Sequence, residues 1–238
     1  MIDALKVAWQ SLKDFWDEMV LLTVLNVAWG LLSLVAAMPL FLLFQSDLVV
    51  GLALTIVLFW LLSIVTGALC FVANQVIRGY AVGWGTFAHG LKHYWLKSLV
   101  VAIINLIMLA LIAFNVLFYA LQVQGAWTYF AVSIWGAIGI YWLMVQVYWF
   151  PLLLEMKSEK ILTSLRNALA IPFITPGFST TILLVLFLLV VFSTFLMIPL
   201  LLFMTVLLLL IMNHATRNRL EMIRQKHEAR QGAGAGAE

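Results

Sequence analysis

The sequence predicts an all-α fold: a polytopic transmembrane helix bundle of six spans, with five as the alternative count. Three observations carry that prediction. Hydrophobic residues make up 65% of the 238 residues and charged residues only 10%, against roughly 45–50% and about 25% in soluble domains. A soluble globule must cover its exterior with polar groups, and this chain has too few; lipid removes the conflict by solvating an apolar outer face. Second, four stretches lack any Asp, Glu, Lys or Arg: residues 19–46, 48–77, 98–154 and 167–216. Third, the basic residues cluster in short segments between those stretches, the pattern of positive-inside loops.

A span needs about 20 apolar residues to cross about 30 Å of hydrocarbon. The first two stretches supply spans near 19–45 and 48–76. The third is long enough for two. Gln122-Val123-Gln124-Gly125, followed by Trp127 and Tyr129, reads as a surface turn, giving spans at 98–122 and 128–153. The fourth has one clear breaker, Pro199. A hairpin there gives spans at 179–197 and 199–214; a single kinked, tilted helix is the rival.

Charge placement decides between them. Arg78, Lys92 and Lys97 follow the second span, and Lys157, Lys160 and Arg166 follow the fourth, whereas the turns at 45–47 and 122–125 carry no Lys or Arg. The N-terminus and both basic segments are therefore expected in the cytoplasm. The C-terminal segment carries Arg217, Arg219, Arg224, Lys226 and Arg230. If it too is cytoplasmic, the crossings are even in number and the hairpin follows. The domain plan is a single membrane domain over 1–215 and a basic tail over 216–238 that ends in disordered Gly/Ala. The first eighteen residues include Asp3, Lys6, Lys13, Asp14, Asp17 and Glu18. They do not form a basic region leading at once into an apolar core, so the first apolar stretch is expected to stay as an anchor.

The chain also resembles itself. Ser11-Leu12-Lys13-Asp14-Phe15-Trp16 precedes the first span and Gly90-Leu91-Lys92-His93-Tyr94-Trp95 the third, and the same offset sets Asn26 on Asn105. Ser164-Leu165-Arg166 is a weaker third copy. The implied unit is an amphipathic cytoplasmic-face helix followed by a two-span hairpin. The amphipathic segments are 2–17, 82–97 and 157–171, where Leu5, Trp9, Leu12 and Trp16, then Trp84, Phe87, Leu91, Tyr94 and Trp95, then Ile161, Leu165 and Leu169 recur at helical spacing. Trp16 and Trp95 are the interfacial anchors of this reading.

Several residues bear on chemistry. Asn26, Asn105, Asn115 and Gln146 are amides within spans. They join helices or line a solute path, and joining is the expected role. His89 and His93 share a helix face but lack the Glu of the zinc-protease pattern, Gly90 standing there instead. Gly79 and Gly83 have the small-xxx-small spacing of a helix-packing pair, but beside Arg78 at a span's end a turn is at least as good a reading. Cys70 is the only cysteine, so no intramolecular disulfide and no cysteine-based metal site is available. His214 ends the last span with no partner evident. No catalytic, cofactor or metal site is expected, and no nucleic-acid partner. With no Asp, Glu, Lys or Arg inside a span, ion pumping and proton antiport are disfavoured. The expected function is that of a non-catalytic accessory component of a transport or envelope system, in the lipid bilayer beside other membrane subunits. A carrier for a neutral or lipid-like solute is the alternative.

Asn26-x-x-Trp29, Arg78, Phe87 with Gly90-Leu91-Lys92, Pro151-Leu152-Leu153, and Leu165-Arg166-Asn167-Ala168-Leu169 with Pro176 resemble the YesL-like family of bacterial multi-pass membrane proteins, which carry a domain of unknown function. The first span departs from that family's Pro- and Thr-rich ending, with Met38-Pro39-Leu40 in its place. The resemblance implies a plasma-membrane location and an accessory role in carbohydrate uptake.

Overall fold

A computed structural model describes residues 2–42, 48–123, 125–156, 160–196 and 200–235. Among these the chain is helix and turn with no strand. The order is α1 (Ile2–Asp17), α2 (Met19–Leu42), α3 (Leu48–Ile77), α4 (Trp84–Gln122), α5 (Ala126–Glu155), α6 (Ile161–Ile174), α7 (Pro176–Leu196), a π-helical turn (Leu200–Met204) and α8 (Thr205–Ala235). Five helices are long and apolar enough to cross a membrane, at 19–39, 53–77, 84–122, 127–155 and 176–195. The chain is a multi-pass membrane protein. Its outer face carries large apolar side chains such as Leu34, Phe114, Trp127 and Phe195, as lipid allows.

The helix ends follow local chemistry. Gly79, at φ +75°, terminates α3. Its N–H bonds Val76 O and the N–H of Tyr80 bonds Gln75 O, the paired closure that a left-handed residue permits. Gly83 precedes the first turn of α4. These glycines are therefore turn residues, not a helix-packing pair. Gly125, at φ +111°, stands between α4 and α5 in the expected turn. Pro176 opens α7, where its missing N–H is no loss.

Four boundaries differ from expectation. The segment 82–97 and the span 98–122 are one helix of 39 residues, about 58 Å long. Its first turns must project beyond the hydrocarbon. No proline interrupts it, and Gly90 is kept for a close approach: a Cβ there would lie 3.2 Å from Ala68 Cα. The third amphipathic helix occupies 161–174 rather than 157–171, and 157–159 lie outside the described residues. The tail is not a separate segment, because α8 runs unbroken through 216 to Ala235. Residues 232–235 are thus helical rather than disordered. The turn expected at 45–47 and the bend expected at Pro199 lie outside the described residues.

The last apolar stretch is not one continuous helix. The guanidinium of Arg219 on α8 lies 3.6 Å from the ring centroid of Phe178 at the start of α7. A continuous helix would separate them by about 60 Å, so the chain doubles back between them. The return limb, from Leu200 through the start of α8, is shorter than the five spans.

The burial pattern repeats in phase. Ser11, Gly90 and Ser164 are buried, as are Phe15, Tyr94 and Ala168. Carrying the third copy forward sets buried Ser179 beside Asn26 and Asn105. Helix α1 shows two apolar faces. Ala4, Val7, Ser11 and Phe15 face the bundle, while the stripe read from sequence, Leu5, Trp9, Leu12 and Trp16, is exposed.

Candidate functional site

Most of the polar side chains that pair between helices gather at one end of the bundle, where α1, α3, α5, α7 and α8 meet. Asn74 on α3 donates to Glu155 Oε1 at 2.9 Å and to Asn213 Oδ1 at 3.2 Å. Glu155, the last residue of α5, also pairs with Arg78 at 3.1 Å. Asn213 on α8 donates to Leu209 O at 2.8 Å and to Cys70 Sγ at 3.3 Å. The next residue, His214, holds Asp14 of α1 at 2.6 Å. Arg217 donates to Ile77 O at 2.9 Å, satisfying a carbonyl that the end of α3 leaves open. Arg219 is almost fully buried, on Phe178 and 4.0 Å from Asp3. Burial pulls its guanidinium below the usual value, against the opposing effects of Tyr148 and Asp3.

Ionisable residues therefore do converge, at the bundle end rather than within a span. Asn74 and Asn213, each an amide in an apolar run like Asn26, Asn105, Asn115 and Gln146, are members of this cluster.

Those four have different fates. Asn26 is buried and accepts from Val206 N at 3.1 Å, where the π-helical turn passes into α8. Asn105 accepts from Trp142 Nε1 at 2.9 Å and joins α4 to α5. Asn115 joins no other helix among the described residues: its amide bonds Leu111 O on its own helix at 2.8 Å. Gln146 Nε2 is buried with no hydrogen-bond partner among the described residues, and so is Trp149 Nε1.

Gln146 and Asn105 line a cavity of about 360 Å³ between α3, α4, α5 and α8, together with Ser63, Thr66, Ser98 and Phe150. Every residue lining it is uncharged. Asn26 is not among them.

Trp16 and Trp95 are both exposed, each beside a buried aromatic, Phe15 or Tyr94. Trp16, Asp17, Glu18 and Trp84 line a cleft of about 480 Å³. A second cleft, sharing Asp17 and Glu18, continues to Asp14, Gly79 and Tyr80. The rings of His89 and His93 stack at 5.6 Å and 12°, a parallel arrangement that does not aim their nitrogens at one point. Among the described residues no group of three or more His, Cys, Asp or Glu could hold a metal ion.

No family model, curated protein or solved structure matches this chain.

Proposed function

We propose that the protein is a non-catalytic accessory component of a membrane transport or envelope system, and that the cleft along the α1–α2 corner is where its partner docks. One observation carries this reading. Trp16, Tyr80 and Trp84 are exposed around the acidic Asp17 and Glu18. Exposed aromatics about a charged centre are the composition of a recognition surface rather than of a lipid-facing one. The complementary partner is a basic, aromatic-bearing amphipathic segment at the membrane surface. The positive-inside pattern supports a cytoplasmic side for this end and for both termini. The resemblance to the YesL-like family favours a bacterial carbohydrate-uptake system.

The test is affinity purification in mild detergent, with mass spectrometry, of the native protein and of a Trp16→Ala/Asp17→Lys/Glu18→Lys variant. A stoichiometric companion that the variant loses supports the reading. A folded native protein that is reproducibly solitary sinks it.

A second reading, a carrier for a neutral or lipid-like solute, draws on the uncharged cavity. Its test is solute flux in liposomes, which Gln146→Leu and Asn105→Leu should abolish in a protein that still folds.

A further inference from the structure

The cavity between α3, α4, α5 and α8 has features that helix packing does not explain. Its volume, about 360 Å³, falls in the range of small-molecule sites, roughly 300–1,000 Å³. It runs along α4 from Ser98 to Leu109, about 16 Å of helix. It therefore reaches from near the polar end of the bundle into the hydrocarbon. Leu106 and Leu109 line it and are themselves exposed, so it opens sideways to lipid.

The polar groups inside have mostly been used. Ser63, Thr66 and Ser98 donate to Phe59 O, Leu62 O and Tyr94 O of their own helices. Asn105 Oδ1 takes the Trp142 N–H. Gln146 Nε2 has no partner. Leaving a buried amide donor unpaired costs about 1–3 kcal/mol, and in hydrocarbon no water relieves it. The hydroxyls of Ser63 and Ser98 keep lone pairs that can still accept. The free capacity is thus hydroxyl acceptors and, once the Gln146 side chain turns its covered Nε2 toward the cavity, one amide donor, with no charge to offset a phosphate.

We propose that this cavity binds the head of a neutral glycerolipid such as a diacylglycerol. An ester carbonyl accepts from Gln146 Nε2, the free hydroxyl donates to a serine oxygen, and the acyl chain leaves past Leu106 and Leu109 into the bilayer. Charged phospholipids are excluded because their phosphate finds no cation there. This inference concerns occupancy of the cavity and stands apart from the docking cleft, which shares no residue with it.

The test uses the full chain in liposomes with a diacylglycerol carrying a diazirine and an alkyne on one acyl chain. After irradiation, labelled peptides are mapped. The expected result is labelling concentrated on 59–70 and 98–109, displaced by unlabelled diacylglycerol and not by phosphatidylglycerol. Gln146→Leu, which keeps the side chain's bulk, should weaken that displacement about threefold to tenfold, the loss of one hydrogen bond. Leu106→Trp, which narrows the mouth, should remove the label, while Asn115→Leu, outside the cavity on the same helix, leaves it unchanged. Labelling spread evenly over Phe114 and Phe187 peptides overturns the proposal. So does equal displacement by phosphatidylglycerol, or labelling indifferent to both Gln146→Leu and Leu106→Trp.

Discussion

His214 Nε2 lies 2.6 Å from Asp14 Oδ2, so a side chain of the last helix fastens the first. Both side chains are largely shielded, 16% and 15% exposed. Removing Asp14 takes this partner from His214, while Asp14 without His214 keeps only the Gln10 amide at 2.9 Å. Asp14→Asn and His214→Ala should each destabilise the protein by about 1–2 kcal/mol. The double variant should lose less than the sum, as contacting pairs do. Melting midpoints in mild detergent, with the rate of tryptic cleavage after Lys6 and Lys13, report both effects. Strict additivity would mean that the two residues do not interact.

The intramembrane amides should separate into two classes. Asn105→Leu breaks the bond from Trp142 Nε1 and should cost about 0.6–2 kcal/mol. Asn115→Leu, whose amide serves only Leu111 O, should leave the melting midpoint within about 0.5 kcal/mol of the native value. Equal effects at the two positions would refute the division.

The spans were legible because lipid makes a simple demand, a run of apolar residues long enough to cross. Helix pairing was not, because a helix apolar on every side does not announce which side meets protein. α1 shows the difficulty. Its aromatic stripe through Trp9 and Trp16 is the obvious apolar face in sequence, yet the face in the bundle is Ala4, Val7, Ser11 and Phe15. Small residues and a serine make a poor hydrophobic signal but a good contact surface. Likewise Glu155 and Arg78 stand far apart in sequence at two helix ends, and only the alignment of α3 with α5 brings them together. The candidate amides were visible as amides in apolar runs, whereas the vacant donor on Gln146 depends on which helices surround it.

Gly67 marks a close approach between α3 and α4. A Cβ there would lie 1.8 Å from Ser98 Oγ and 2.7 Å from Ser98 Cβ, closer than atoms can approach, and Ser98 is buried with little room to yield. Small residues that let helices touch supply much of the packing available in a bilayer. Gly67→Ala should destabilise by about 1–3 kcal/mol, and Ser98→Gly in the same chain should restore most of the loss. Gly136→Ala, where an added Cβ meets nothing within 4 Å, should be neutral or slightly stabilising. Melting midpoints of fluorescent fusions would rank the four proteins.

The return limb sets the topology. Asp3 near Arg219, Asp14 on His214 and Ile77 O on Arg217 put α1, the end of α3 and the middle of α8 at one end of the bundle. Cysteines at Lys6, Lys92 and Arg224 should therefore react with an impermeant maleimide from one side, and a cysteine at Tyr129 from the other. Cys70 is 2% exposed and should contribute little background. Labelling of the Arg224 position from the Tyr129 side would defeat this arrangement. The limb from Leu200 to Met212 is about 20 Å long, short of about 30 Å of hydrocarbon. It can complete a sixth crossing only where the bilayer thins around it, at a modest cost per ångström of mismatch. Reconstitution into shorter-chain lipids should therefore raise the melting midpoint, and longer-chain lipids should lower it. A midpoint indifferent to lipid thickness would indicate that the limb stops short of the far surface and that only the five longer helices span the membrane.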